Sequence, residues 1–246
     1  MKKILFTLAL CVSATVQAGP NINVGTVYDY LDGDKSTYLK RVYNGGESTA
    51  FVRVNLYEIT FDADGKSIET SLDGVTDESG TRTGLVASPA RLIVPPKGMQ
   101  ATRLLYRGTR DIERYYRVRF VPVMPEKEDK FEVSDTERKD YKESMSAGVN
   151  ILAAYGTVFF VRPHHTRFDT KMQNDENGYR VINAGNSTIE LDDFSDCDSK
   201  KTSDCLPIRK HHIRPGKEFN YAPVSNRIIT FTLTEGQSQK KIEVKK

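Results

Sequence analysis

The sequence predicts an all-β protein made of two consecutive β-sandwich domains, and three observations carry that prediction. Short stretches rich in β-branched and aromatic residues follow one another between turns containing Gly, Pro and Asn. No helical periodicity separates them, which favours antiparallel sheets over an alternating α/β arrangement. The length left after an export signal suits two domains of about 100 residues each.

The signal comes first. Lys2 and Lys3 form a short positive region, residues 4–16 are apolar, and Val16-Gln17-Ala18 offers small residues for cleavage before Gly19. This three-part pattern over residues 1–18 reads as a secretory signal. No later stretch approaches the roughly 20 apolar residues that span a bilayer, so no membrane insertion is expected. Removing 18 of the 246 residues leaves 228 and takes the formal charge from +3 to +1, because two lysines leave. A balance so near neutral speaks against nucleic acid as a main partner, since phosphate binding draws on a clear basic excess.

Cys11 departs with the signal, leaving Cys197 and Cys205. In an oxidising compartment, two cysteines closing a short loop are expected to form a disulfide. A Cys/His zinc site using His211 and His212 is the alternative, and its spacing matches no standard zinc pattern.

In the first half, residues 37–43, 50–59, 85–94, 100–106 and 114–124 read as strands. Asn44-Gly45-Gly46, Asp64-Gly65 and Pro95-Pro96-Lys97-Gly98 mark turns between them. Residues 149–161 form the longest apolar element. It has no helix cap, ends at Arg162-Pro163 and reads as one long strand. Residues 62–83 and 125–144 are polar and are expected as long connections, the second densely charged and mobile. After Pro163, residues 168–172, 179–183, 187–192, 218–221, 227–234 and 240–244 read as strands of a smaller sandwich. The domains are therefore placed at residues 19–163 and 164–246.

Catalysis finds no support. The chain has no nucleophile elbow, no His-Glu-x-x-His, no phosphate-cradling glycine loop and no dinucleotide fingerprint. His164-His165 and His211-His212 are adjacent pairs, which on a strand point to opposite faces. No enzyme activity, cofactor or metal is expected.

Four landmarks, in order, resemble the periplasmic pilus-assembly chaperones of chaperone–usher systems. Val94-Pro95-Pro96-Lys97-Gly98 with Thr102-Arg103-Leu104 looks like that family's proline-glycine turn and Arg-bearing strand. Glu113-Arg114-Tyr115-Tyr116-Arg117-Val118-Arg119-Phe120 resembles its "YRV" strand. Val161-Arg162-Pro163 is similar to the interdomain Arg-Pro, and Val181-Ile182-Asn183-Ala184-Gly185-Asn186 to the Asn-x-Gly-Asn turn of the second domain. The wording of the second motif and the cysteine-closed loop are similar to the branch serving common-pilus and CS1-type (alternate) fimbriae, with archaic chaperones close behind.

The resemblance implies two immunoglobulin-like β-sandwiches in an L-shaped arrangement, working in the periplasm. Pilus subunits would be bound by donating an apolar strand to their incomplete fold, then delivered to an outer-membrane usher. Weak self-association of the free protein is compatible with this. Backbone ladder bonds would hold the subunit and alternate side chains would fill its groove. Aligned on Arg162-Pro163, the donor is residues 145–155. Its inserted row is Val149, Ile151 and Ala153, extended by Ala147 and Met145. The opposite row, Leu152, Ala154, Val158 and Phe160, is then expected to face the protein's own core. A plain core strand remains the alternative.

In better-known members two basic residues hold the subunit's terminal carboxylate. Those positions fall here on Val158 and near Tyr28, so Arg117 and Arg41 become the candidate anchors, since an Arg grips a carboxylate with two parallel bonds. Arg162 and Glu113 match positions that form an interdomain ion pair and are given a structural role. A secreted β-sandwich binding module or adhesin without an assembly role is the competing reading; its strand 149–161 would be buried along its whole length.

Overall fold

A computed structural model describes residues 19–146, 151–175, 178–201, 203–222 and 226–245. The expected signal at 1–18 lies outside them. The described chain is almost entirely β. Its first sheet is built from β1 (Ile22–Asn23), β3 (Thr37–Asn44), β6 (Gly84–Ser88) and β8 (Met99–Arg107), in the order β1-β3-β8-β6. The facing sheet holds β2 (Tyr28–Leu31), β4 (Ala50–Phe61), β5 (Ser67–Ser71), β7 (Arg91–Val94), β9 (Arg114–Val123) and β10 (Tyr155–Val161). Its order is β2-β10-β9-β4-β5, and β7 pairs with β4. Alternation explains the core between the sheets. Val52, Val54 and Leu56 of β4 and Tyr116, Val118 and Phe120 of β9 all point inward and are buried with Val42, Leu85 and Leu104.

A second core forms around Tyr179, Val181, Ile189, Leu191, Phe194 and Phe231. It lies between β11 (Thr170–Asp175), β12 (Gly178–Asn183) and β15 (Glu218–Tyr221) on one side. The other side is β13 (Ile189–Asp198), β14 (Arg209–Ile213), β16 (Arg227–Glu235) and β17 (Ser238–Lys245), ordered β14-β13-β16-β17. Cys197 and Cys205 are bridged, tying the end of β13 to the loop that leads into β14.

Three expectations change. Residues 85–94 are two strands in different sheets, because Pro89 interrupts the run: β6 pairs with β8 and β7 with β4. Residues 62–83 contain β5, a hairpin partner of β4. The charged segment 125–144 is an ordered cover that holds most of helix α1 (Asp135–Ser146). Ser134 caps this helix: Glu137 N–H donates to Ser134 Oγ at 3.2 Å, and Ser134 N–H donates to the Glu137 carboxylate at 2.8 Å. The Ser134 hydroxyl also donates to that carboxylate at 2.7 Å, and with the Ser134 N–H it holds the Glu137 carboxyl below its ordinary value. Phe51 faces outward from β4 and would meet water, but Phe131 and Tyr141 pack on it with ring centroids 5.3 and 4.8 Å away. The Tyr141 hydroxyl donates to the Thr49 carbonyl at 2.8 Å. Composition pointed to solvent, and three aromatic rings decided otherwise.

Candidate functional site

β10 is the strand on which the functional expectation rests. It begins at Tyr155, six residues later than the sequence suggests. Met145 lies near the end of helix α1 and is buried, so it stands on a helix and not on the expected strand. Ala147 and Val149 lie outside the described residues. Ile151 and Ala153 precede β10 in irregular chain, where both are exposed, Ile151 to 79%.

The sheet is open at that end. β9 pairs with β10 from Arg114 to Phe120, and no described strand continues along the same side of its last three residues, 121–123. On the other flank β2 pairs with β10 only from Val158 to Val161. Tyr155, Gly156 and Thr157 thus have β9 on one side and no strand on the other among the described residues. Backbone donors and acceptors along such an edge are a template for another chain.

The two faces of β10 are the reverse of the expectation. Phe159 and Val161 belong to the first core, with Tyr155 packed against it and Thr157 buried. The other row faces away from that core. Phe160 stacks on Tyr30 at 4.5 Å, meets Tyr115 at 5.7 Å, and lies 5.7 Å from His212 of the second sandwich. Both faces are apolar because the strand is covered on both sides, once by its own sandwich and once by the neighbouring one. By strand alternation, Ile151 and Ala153 share their row with Tyr155, Phe159 and Val161. An extended donor would therefore prolong the core row beyond the end of the sandwich.

Val158 pairs in register with Tyr28 on one side and with Arg117 on the other. Residues paired across strands point to one face, so Tyr28, Val158 and Arg117 form a row on the outer face of this sheet. Arg117 thus stands one strand from Val158 and two strands from Tyr28, the two positions where the resemblance places basic residues. Its Nε donates to Glu69 of β5 at 3.0 Å, and Arg119 reaches the same carboxylate at 2.6 Å. Arg41 is exposed on β3, in the opposite sheet. The two candidate anchors are not brought together.

Glu113 and Arg162 both serve the junction between the sandwiches, with separate partners. The Glu113 carboxylate accepts from Ser187 Oγ at 2.6 Å and from the Thr188 backbone N–H at 2.9 Å. Arg162 pairs with Asp32 at 2.7 Å and lies over the rings of Tyr30 and Phe168. Asp32, which follows β2, is the acidic partner that spacing along the chain did not reveal. Arg110, also unanticipated, is buried and donates to the carbonyls of Leu31, Asp32 and Arg162. Gly33 is required by closeness: a Cβ there would sit 2.4 Å from the Pro163 carbonyl oxygen.

His212 of β14 completes the junction. Its ring lies 4.1 Å from that of Tyr28, and its Nε2 is 3.6 Å from the Glu190 carboxylate, which also binds Lys210 at 3.1 Å. Burial lowers the His212 pKa, against the pull of Glu190. Among the described residues no group of three or more metal-ligating side chains converges.

No protein-family model matches the chain. Over 247 aligned residues, covering both chains completely, it is 24% identical to a probable fimbrial chaperone, EcpB, of Escherichia coli. Among solved structures it is similar to the class 5 fimbriae chaperone CfaA, with a TM-score of 0.56 at 18% identity over 91% of this chain and 98% of that one. It is also similar to the chaperone DraB of E. coli, with a TM-score of 0.55 at 14% identity over 92% and 98%. The chain has the two-sandwich fold of these fimbrial chaperones and is similar to EcpB from end to end.

Proposed function

We propose that this protein binds unfinished pilus subunits in the periplasm by lending them a strand, and hands them to an outer-membrane usher. The observation that carries the reading is the open edge at residues 155–157, with the exposed side chain of Ile151 just before it. Isolated exposed aliphatics are common, but one adjoining unpaired backbone invites pairing with a partner that buries it. The chemistry is strand addition. The subunit's backbone would pair with the donor, and Val149, Ile151 and Ala153 would fill its groove, with each large side chain contributing about 1.5–3 kcal/mol when fully buried. Solved relatives of this fold include SafB in complex with the SafA pilin.

Arg117 is the anchor for the subunit's terminal carboxylate in this reading, supported by its place beside Val158, in the row that Val158 shares with Tyr28. Arg41 lies on the wrong sheet for that role. Arg117→Ala should weaken subunit capture by about 2–5 kcal/mol, the usual cost of breaking a desolvated charged contact, with the fold intact. Arg41→Ala should leave capture unchanged. The measurement is the yield of a small, otherwise unstable subunit co-purified from periplasm. No loss with Arg117→Ala removes the anchor. No co-purifying subunit at all favours the binding-module reading.

A further inference from the structure

Glu69 occupies Arg117 and Arg119 simultaneously, at 3.0 and 2.6 Å. Resting on the anchor just proposed, we infer that Glu69 is a built-in stand-in for the subunit's carboxylate, holding the two arginines in readiness and leaving them when a subunit docks. The geometry fits an exchangeable contact. Glu69 sits on β5, an outlying strand that among the described residues pairs with β4 alone. All three side chains remain partly exposed, at 25% for Glu69, 31% for Arg117 and 45% for Arg119. A solvated ion pair of this kind shifts an equilibrium by about five-fold at most, so it is readily displaced.

The strand that carries the arginines, β9, also borders the open edge. Gly156 of β10 pairs with Arg119, and β2 does not reach it. A Cβ at Gly156 would lie 3.3 Å from Cδ of Arg117, so the missing side chain keeps the space beside that arginine clear. An incoming chain paired along β10 would cover this space and exclude water. The low dielectric then strengthens the arginines' contact with whichever carboxylate fits best. Two guanidinium groups on one carboxylate also leave donors in excess, since each carries five N–H bonds.

The test uses acetate as the carboxylate probe and the arginine Nε–H resonances of the full mature protein as the readout. Glu69→Gln should move the acetate midpoint at Arg117 to about three- to five-fold lower concentration than in wild type, with acetamide producing no shift. Glu58→Gln is the control. Glu58 pairs with Arg114 at 3.3 Å, so its loss removes the same charge without touching Arg117. An unchanged midpoint in Glu69→Gln, or an equal gain in Glu58→Gln, would overturn the inference. The anchor itself is judged separately: if Arg117→Ala lowers subunit yield while Glu69→Gln leaves the acetate midpoint unmoved, only the stand-in falls.

Discussion

The two halves of β10 meet opposite surroundings. From Val158 to Val161 the strand is clamped between β2 and β9, with its own core under one face and the second sandwich over the other. At Tyr155 to Thr157 one flank is bare among the described residues. A single strand thus serves as a fixed post at one end and an open edge at the other. The difference comes from how far β2 extends. Four paired residues of β2 convert half of an edge strand into interior and leave Tyr155 to Thr157 with one flank unpaired among the described residues.

That contrast can be broken first at the clamped end. Phe159 is fully buried in the first core. Phe159→Ala should cost about 3–5 kcal/mol, through lost transfer energy and the cavity it leaves. Ile151→Ala should fall within about 0.5 kcal/mol of wild type, as expected for a side chain in solvent. Denaturant unfolding of both variants checks this, and comparable losses would erase the distinction between the halves.

The disulfide offers a smaller effect, remote from the open edge. Cys197 and Cys205 are eight residues apart, and closing so short a loop stabilises by less than about 3 kcal/mol. Replacing both by Ser should lower the unfolding free energy by no more than that and leave subunit capture intact. Mass spectrometry of the untreated protein should find no free thiol at either position.

The smallest effect is expected at the junction, where His212 lies against Tyr28 and Phe160. Burial depresses its pKa in the folded protein, so the unfolded chain binds its proton more readily. The stability this residue supports is complete above the ordinary histidine pKa and is lost as pH falls from there through the folded value. Glu190, Asp192, Lys210 and His211 also act on the ring. His212→Phe keeps the ring stack and removes the proton. It should flatten the part of the stability loss between pH 7 and 5 that belongs to this residue, and a melting profile parallel to wild type would contradict that.

Most of the strands were legible, because alternation and turn residues act locally. Residues 218–221 are a strand with those same bounds, and 50–59 and 100–106 differ from the observed strands only at their ends. What failed depended on partners distant in sequence. The row facing the core could not be chosen for residues 158–161, since alternation says which residues share a face and not what lies beyond it. Residues 125–144 read as mobile because their charge is plain, while the rings that hold them, Phe131 and Tyr141, find Phe51 some 80 to 90 positions away. Arg162 gave no sign of Asp32, 130 residues earlier. Glu69 was hidden in a segment read as loop, although Asp64-Gly65 before the Ser67–Ser71 strand is a hairpin signal. Arg41 and Arg117 looked alike in sequence, and only sheet membership separates them.

The central claim is that the row through Val149 and Ile151 serves a partner and is dispensable for the protein's own fold. The direct measurement is thermal unfolding of the Val149→Asp/Ile151→Asp double variant, run beside co-purification of a pilus subunit. Charges placed in the subunit's apolar groove would be strongly disfavoured, while in the free protein the same side chains would meet water. A melting temperature close to wild type with subunit capture abolished is the expected result. A large fall in melting temperature would make the row ordinary core and contradict the donor assignment.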